Sequence, residues 1–161
     1  MQYYAAMDFD EIVAKLTVRE PLPPLTPTQP FDVALSRTIR NANLPALVTC
    51  GLLIWNDDIP AAHPIAQDIE NATGSYWHAI VHRREGDFSN AKYWFRRTGQ
   101  HPVLAELAAM PEANPFAKTG VLDGAAFVDA CERAARDKRD EALRALQVIE
   151  IEALLRYCRV I

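Results

Sequence analysis

The amino-acid sequence predicts an all-α domain of stacked antiparallel helix hairpins, preceded by a proline-rich N-terminal arm. Three observations carry that expectation. Apolar residues recur at three- and four-residue spacing through almost all of the chain outside its loops. Five of the eleven prolines crowd between Glu20 and Pro30, where they forbid helix and favour extended polyproline geometry. Finally, Asp58-Ile59-Pro60-Ala61-Ala62 falls on Asp87-Phe88-Ser89-Asn90-Ala91 when the chain is slid by 29 residues, so the middle reads as an internal repeat.

Each element follows from its local chemistry. Phe9 to Leu16 is a short amphipathic helix with Asp8 as its N-cap. The arm from Glu20 to Pro30 is expected to lie stiffly across the domain, burying Leu22 and Leu25; an SH3-type ligand is the alternative. Helix resumes over 31–41 and again from Ala46, where Pro45 suits the start of a first turn. Two helix-turn-helix hairpins then span roughly 46–56 with 59–70, and 74–85 with 88–98. In each, an aspartate at the turn can accept bonds from the free N–H groups of the second helix. Pro102 to Met110 is a short helix, 111–122 a loop, and Asp123 caps a helix to about Arg136. A long helix over roughly 140–157 closes the chain. Residues 1–161 thus read as one domain, made of a helix and arm over 1–30, the hairpins over 46–98 and a helix pair over 123–159, with no convincing strand pair.

Two resemblances attach to the repeat. With small Ala79 in the first helix, small Ala91 twelve residues on, Phe95 four after that and Pro102 beyond, the second copy resembles a tetratricopeptide repeat. Cys50, Ala62 and Ala66 take the corresponding places in the first copy. The period of 29 departs from the family's ~34, there are two copies, and the tryptophan and tyrosine are displaced. The resemblance implies helix pairs with a concave binding surface. The run from Gly74 to Pro102, G-S-Y-W-H-A-I-V-H-R-R-E-G-D-F-S-N-A-K-Y-W-F-R-R-T-G-Q-H-P, also resembles the signature of a family of uncharacterised bacterial and fungal proteins. Ala-Ala-His-Pro-Ile-Ala-Gln upstream and Phe-Val-Asp-Ala-Cys-Glu downstream extend it. It implies no activity.

Composition bounds the function. Half the residues are apolar and 24% are charged, the mix of a folded domain. A net charge of -4 argues against general nucleic-acid binding. Between Tyr76 and His101, however, five basic and two acidic side chains give a net +3, leaving -7 for the rest. That basic middle suits an anionic ligand, or places solvated arginines on helix backs. Cys50, Cys131 and Cys158 are odd in number and far apart, and are expected to be buried thiols. The N-terminal residues lack a secretory pattern and no apolar run reaches membrane-spanning length, so the expected compartment is the cytoplasm.

Chemistry concentrates in one place. His78, His82 and Glu85 form a stripe at spacings of four and three, beside an apolar face of Trp77, Ile80 and Val81. The sister copy has Thr49 and Leu53 in the histidines' places. Two readings follow. Either both imidazoles are neutral and hydrogen-bonded in a helix interface, or His78 and His82 hold a divalent metal or move a proton. In the second case His63, Glu85 or Asp87 completes the set, with Gln67 one turn beyond His63. Imidazole suits zinc, iron, nickel or copper. The pattern is not the H-E-x-x-H of zinc proteases, because Ala79 stands in the glutamate's place. On the last helix Glu150 lies among Leu143, Leu146, Ala153, Leu154 and Tyr157, and needs a partner there: an arginine such as Arg83 or Arg97, or the histidines.

The expected ligand residues are therefore His78, His82, Arg83, Glu85, Lys92 and Glu150, and the expected metal ligands His63, His78 and His82. Lys92-Tyr93-Trp94 with Arg96 and Arg97 interleaves aromatics and cations in a way that can stack on bases, but the overall acidity favours the other reading, Trp94 and Phe95 in the core with the arginines lying over them. The leading expectation is a helical-repeat-like protein binding a peptide or small anion in a polar groove. The alternative is a metal-binding protein or metal-dependent enzyme. A third expectation places function at an interface, the arm embracing a second subunit. No phosphate-binding glycine loop or nucleophile elbow is present, and no catalytic residue is assigned.

Overall fold

A computed structural model describes residues 7–137 and 140–161. The first six residues of the predicted N-terminal segment lie outside the described residues. What is described is overwhelmingly helical: nine α-helices, one 3-10 turn and one two-stranded ladder. Helix α1 (Phe9–Thr17) begins in a reciprocal capping box between Asp8 and Glu11. Helix α2 (Val33–Asn41) is capped by Asp32. The central hairpins are α3 (Ala46–Trp55) with α4 (Ile59–Asp68), and α5 (Ala72–Glu85) with α6 (Phe88–Thr98). Helices α7 (Pro102–Ala108), α8 (Gly124–Asp137) and α9 (Glu141–Val160) complete the set.

The two hairpin turns are built alike. In the second, the Asp87 N–H donates to the His82 carbonyl and the Gly86 N–H to the Arg83 carbonyl, the paired bonds of a Schellman motif. In the first, Asp58 donates to Leu53 and Asp57 to Ile54, the same bonds 29 positions earlier. Asp58 and Asp87 then cap the following helices through Ala61 and Asn90. The motif needs a left-handed residue. Gly86 supplies it at φ 77° without penalty, whereas Asp57 supplies it at φ 61°. A non-glycine residue in that conformation needs a reason, and its carboxylate provides one: Asp57 accepts from Arg19 at 2.7 Å and from Arg84 at 2.6 Å, all three side chains being buried.

Helix α5 is the centre of the molecule. It packs against α3, α4 and α6, and every residue from Thr73 to Arg84 is buried. Of the two readings of the basic stretch, solvated arginines hold for Arg96 and Arg97 on α6, which are exposed, and not for Arg83 and Arg84, which are buried. The arm lies across this core as expected. Leu25 and Pro23 are buried and Leu22 half-buried, and the Pro24 carbonyl accepts from Arg84 Nη2 and Gln147 Nε2.

The stretch 111–122 departs from the predicted loop. Pro111–Phe116 forms a 3-10 turn, and β1 (Ala117–Lys118) pairs antiparallel with β2 (Val121–Leu122). Thr119 and Gly120 both have positive φ, as a tight two-residue hairpin requires. Strands of two residues carry no alternation for a sequence pattern to register. All three cysteines are free and buried, and burial pushes the Cys50 thiol well up and those of Cys131 and Cys158 to about 11. No helix among the described residues is long and apolar enough to cross a membrane.

Candidate metal centre

The hairpins bring three imidazoles to one point. His63 stands on α4, His78 and His82 on successive turns of α5, and their ring nitrogens lie within 4.8 Å of one another. His78 Nε2 is 3.1 Å from His63 Nε2 and 3.1 Å from His82 Nε2. The Trp94 indole, from α6, stacks on His78 with centroids 4.1 Å apart and closes one side. His78 and His82 are buried, while His63 is partly exposed.

The outer edges of these rings face carboxylates. Glu85 Oε1 lies 2.6 Å from His63 Nδ1, which holds a proton on Nδ1 and turns the Nε2 lone pair inward. His82 Nδ1 lies 3.4 Å from Glu85 Oε2 and 3.6 Å from Asp87 Oδ2 and hydrogen-bonds to neither; the two nearby negative charges favour a proton on Nδ1, with the Nε2 lone pair turned inward. His78 Nε2 thus sits between two lone pairs. Its single N–H can reach one of them, and its own Nδ1 is buried without a partner. Either tautomer of His78 leaves a nitrogen unsatisfied. A buried cluster so rich in inward lone pairs is suited to a cation.

The two distances from His78 Nε2 suit a metal in particular. With metal–nitrogen bonds of ~2.05 Å, two nitrogens 3.1 Å apart subtend about 98°, between octahedral and tetrahedral angles. Burial, and then the neighbouring imidazoles, depress the His78 pKa to about 4; burial and His63 also lower that of His82, against the pull of Glu85 and Asp87. His78 and His82 are accordingly neutral near pH 7, with no proton to displace from them on metal binding.

The same depression predicts a pH dependence. A histidine held neutral in the fold but free to charge at pH 6.5 in the unfolded chain binds more protons when unfolded. Stability of the metal-free protein should therefore be full above about pH 6.5 and fall as pH drops toward 4. His101, whose pKa burial also lowers, acts in the same direction. The expected loss is on the order of 2–3 kcal/mol, measured by urea unfolding after chelation across that range.

Other predicted residues go elsewhere. Arg83 and Glu150 leave the candidate site: Arg83 Nη2 donates to Glu150 Oε2 at 2.5 Å, and the Tyr76 hydroxyl to Oε1 at 3.1 Å, all fully buried. The reason is rotational. At ~100° per residue Tyr76 and Arg83 lie about 20° apart on α5, while His78 and His82 lie ~200° or more around from Tyr76. Lys92 is also removed, its ammonium paired with Asp129 of α8 at 2.8 Å. Glu85 and Asp87 do belong, on the Nδ1 side of the rings and not among the converging nitrogens. His101, the fourth histidine, is separately satisfied by the Thr73 hydroxyl and the Val103 N–H. Sequence reasoning missed the Trp94 contact and the Arg19–Asp57–Arg84 cluster. Trp94 and Phe95 were expected in the core with arginines over them, and Phe95 is buried and Arg97 lies over Trp94, but no spacing linked Trp94 to His78; Asp57 had only a turn position to distinguish it.

Comparison with family models, with curated proteins and with solved structures finds no match to this chain.

Proposed function

We propose that this protein binds one divalent transition-metal ion through the Nε2 atoms of His63, His78 and His82, and leaves its remaining coordination positions to water or a ligand. The observation that carries the reading is the convergence of three imidazole nitrogens, with the His63 ring turned lone-pair-inward by its bond to Glu85 and carboxylates also near the outer edge of His82. Three protein ligands and an open position are the pattern of centres that do chemistry, since closed four-ligand sites are structural. Imidazole donors suit zinc, iron or nickel. Glu85 and Asp87 orient the rings and raise their basicity, the usual task of carboxylates around metal-bound histidines. The tetratricopeptide-like reading of the two hairpins belongs to the same proposal, supported by their common turn. In it the hairpins are the scaffold that sets His63 of one copy against His78 and His82 of the next.

Elemental analysis of purified protein, followed by chelation and titration with zinc or cobalt(II), tests the proposal. One equivalent bound per chain, with a rise in melting temperature, is expected. Metal-free protein that takes up neither ion and gains no stability overturns it.

A further inference from the structure

A cavity of about 490 Å³ is built by the same helices and shares Trp94 with the imidazole cluster. Its wall includes Gln67, one helical turn beyond His63 on α4; Ser75, one turn before His78 on α5; and Trp94, whose ring stacks on His78. Arg97, one turn beyond Trp94 on α6, also lines it, as do Glu70 and Asn71.

Two features point to a ligand. Ser75 is more than nine-tenths buried, lines the cavity, and its hydroxyl makes no hydrogen bond among the described residues. Arg97 is exposed and pairs with no carboxylate among them; it lies over the Trp94 ring, 5.9 Å from the centroid. Helix α5 begins at the same place, with Asn71 as its N-cap, and the positive end of its dipole faces this wall. A hydroxyl donor, a guanidinium and a helix N-terminus together favour a planar anion, which Arg binds with two parallel bonds. Glu70 adds one negative charge to the lining and disfavours a dianion.

Resting on the metal reading above, we infer that this cavity is the carboxylate-binding subsite of the metal centre and takes a small monocarboxylate along the Trp94 face. Arg97 and Ser75 would hold the carboxylate, and the remainder of the molecule would extend along α5 toward His78.

Calorimetric titration of butyrate into cobalt-loaded and metal-free protein tests this, with butyramide as the neutral counterpart. Saturable binding of butyrate and none of butyramide is expected. Arg97→Gln and Ser75→Ala should each weaken binding by roughly tenfold or more, with cobalt stoichiometry unchanged. Absence of saturable butyrate binding to protein that does hold cobalt, or binding that neither substitution weakens, overturns the inference while sparing the metal centre. If the protein takes up no cobalt but binds butyrate through Arg97, the subsite stands and the metal reading fails.

Discussion

Asp57→Asn is expected to destabilise the protein by roughly 3–5 kcal/mol, the largest single loss among the surface-remote polar residues. Asp57 is the one carboxylate between two buried guanidiniums, Arg19 and Arg84. Backbone carbonyls of Pro24, Ile54 and Trp55 take further donors of the pair, while both Nε atoms are buried without a partner, and carbonyl dipoles do not replace a charge. Asparagine keeps the shape and tolerates the left-handed backbone, so the substitution isolates the charge. Burial already pulls the Arg84 pKa down to about 10 against the opposing effect of Asp57, and removing that anion leaves two cations facing each other. Because Arg84 also holds the Pro24 carbonyl, the arm should loosen with the core. Thermal unfolding should show a drop on the order of 10 °C. Asp57→Gly separates the two roles of the residue: it relieves the backbone conformation that Gly86 adopts freely in the sister turn, yet should still lose most of the same stability. A loss under about 1 kcal/mol for either variant would mean that water, not Asp57, balances the arginines.

That cluster also marks the limit of what the sequence conveys. The hairpins were legible because their signals are local: Asp58 and Asp87 cap, Pro45 and Pro60 open first turns, and apolar residues repeat at helical spacing. Helix α5 was legible as a helix but not as a centre. A helix buried on every side has no polar face, so its arginines carry no mark of burial until their partners are known. Those partners are distant in the chain: Glu150 for Arg83, Asp57 and Pro24 for Arg84. The His78–His82 pair was legible from its four-residue spacing. His63 was legible only as a candidate, since its arrival depends on how α4 packs against α5, and no spacing encodes that angle. Glu150 had two possible partners on α5, and the rotation between Arg83 and the histidines decides for Arg83.

His78→Ala should have the larger effect on metal: affinity for zinc or cobalt should fall by at least ~10³-fold, because His78 Nε2 is the nitrogen adjacent to both others. Metal at 100 times its dissociation constant stabilises a single-site protein by ~2.7 kcal/mol, and this increment should vanish in the variant. Stability of the metal-free form should fall as well, since the substitution removes a buried ring stacked on Trp94, so the metal-dependent increment, not the absolute stability, is the readout. Glu85→Gln divides ligation from positioning. Its amide oxygen can still accept from His63 Nδ1, so one equivalent of metal should bind, but ~10–100-fold more weakly for want of the negative charge behind two ligands. His101→Ala serves as the contrast, because both nitrogens of that ring are engaged within the core. It should lower stability with and without metal and leave metal affinity as it was. The ordering His78 far above Glu85, and Glu85 above His101, is specific to a centre on the converging Nε2 atoms. A metal held instead by surface carboxylates would follow a different order and would survive the loss of His78.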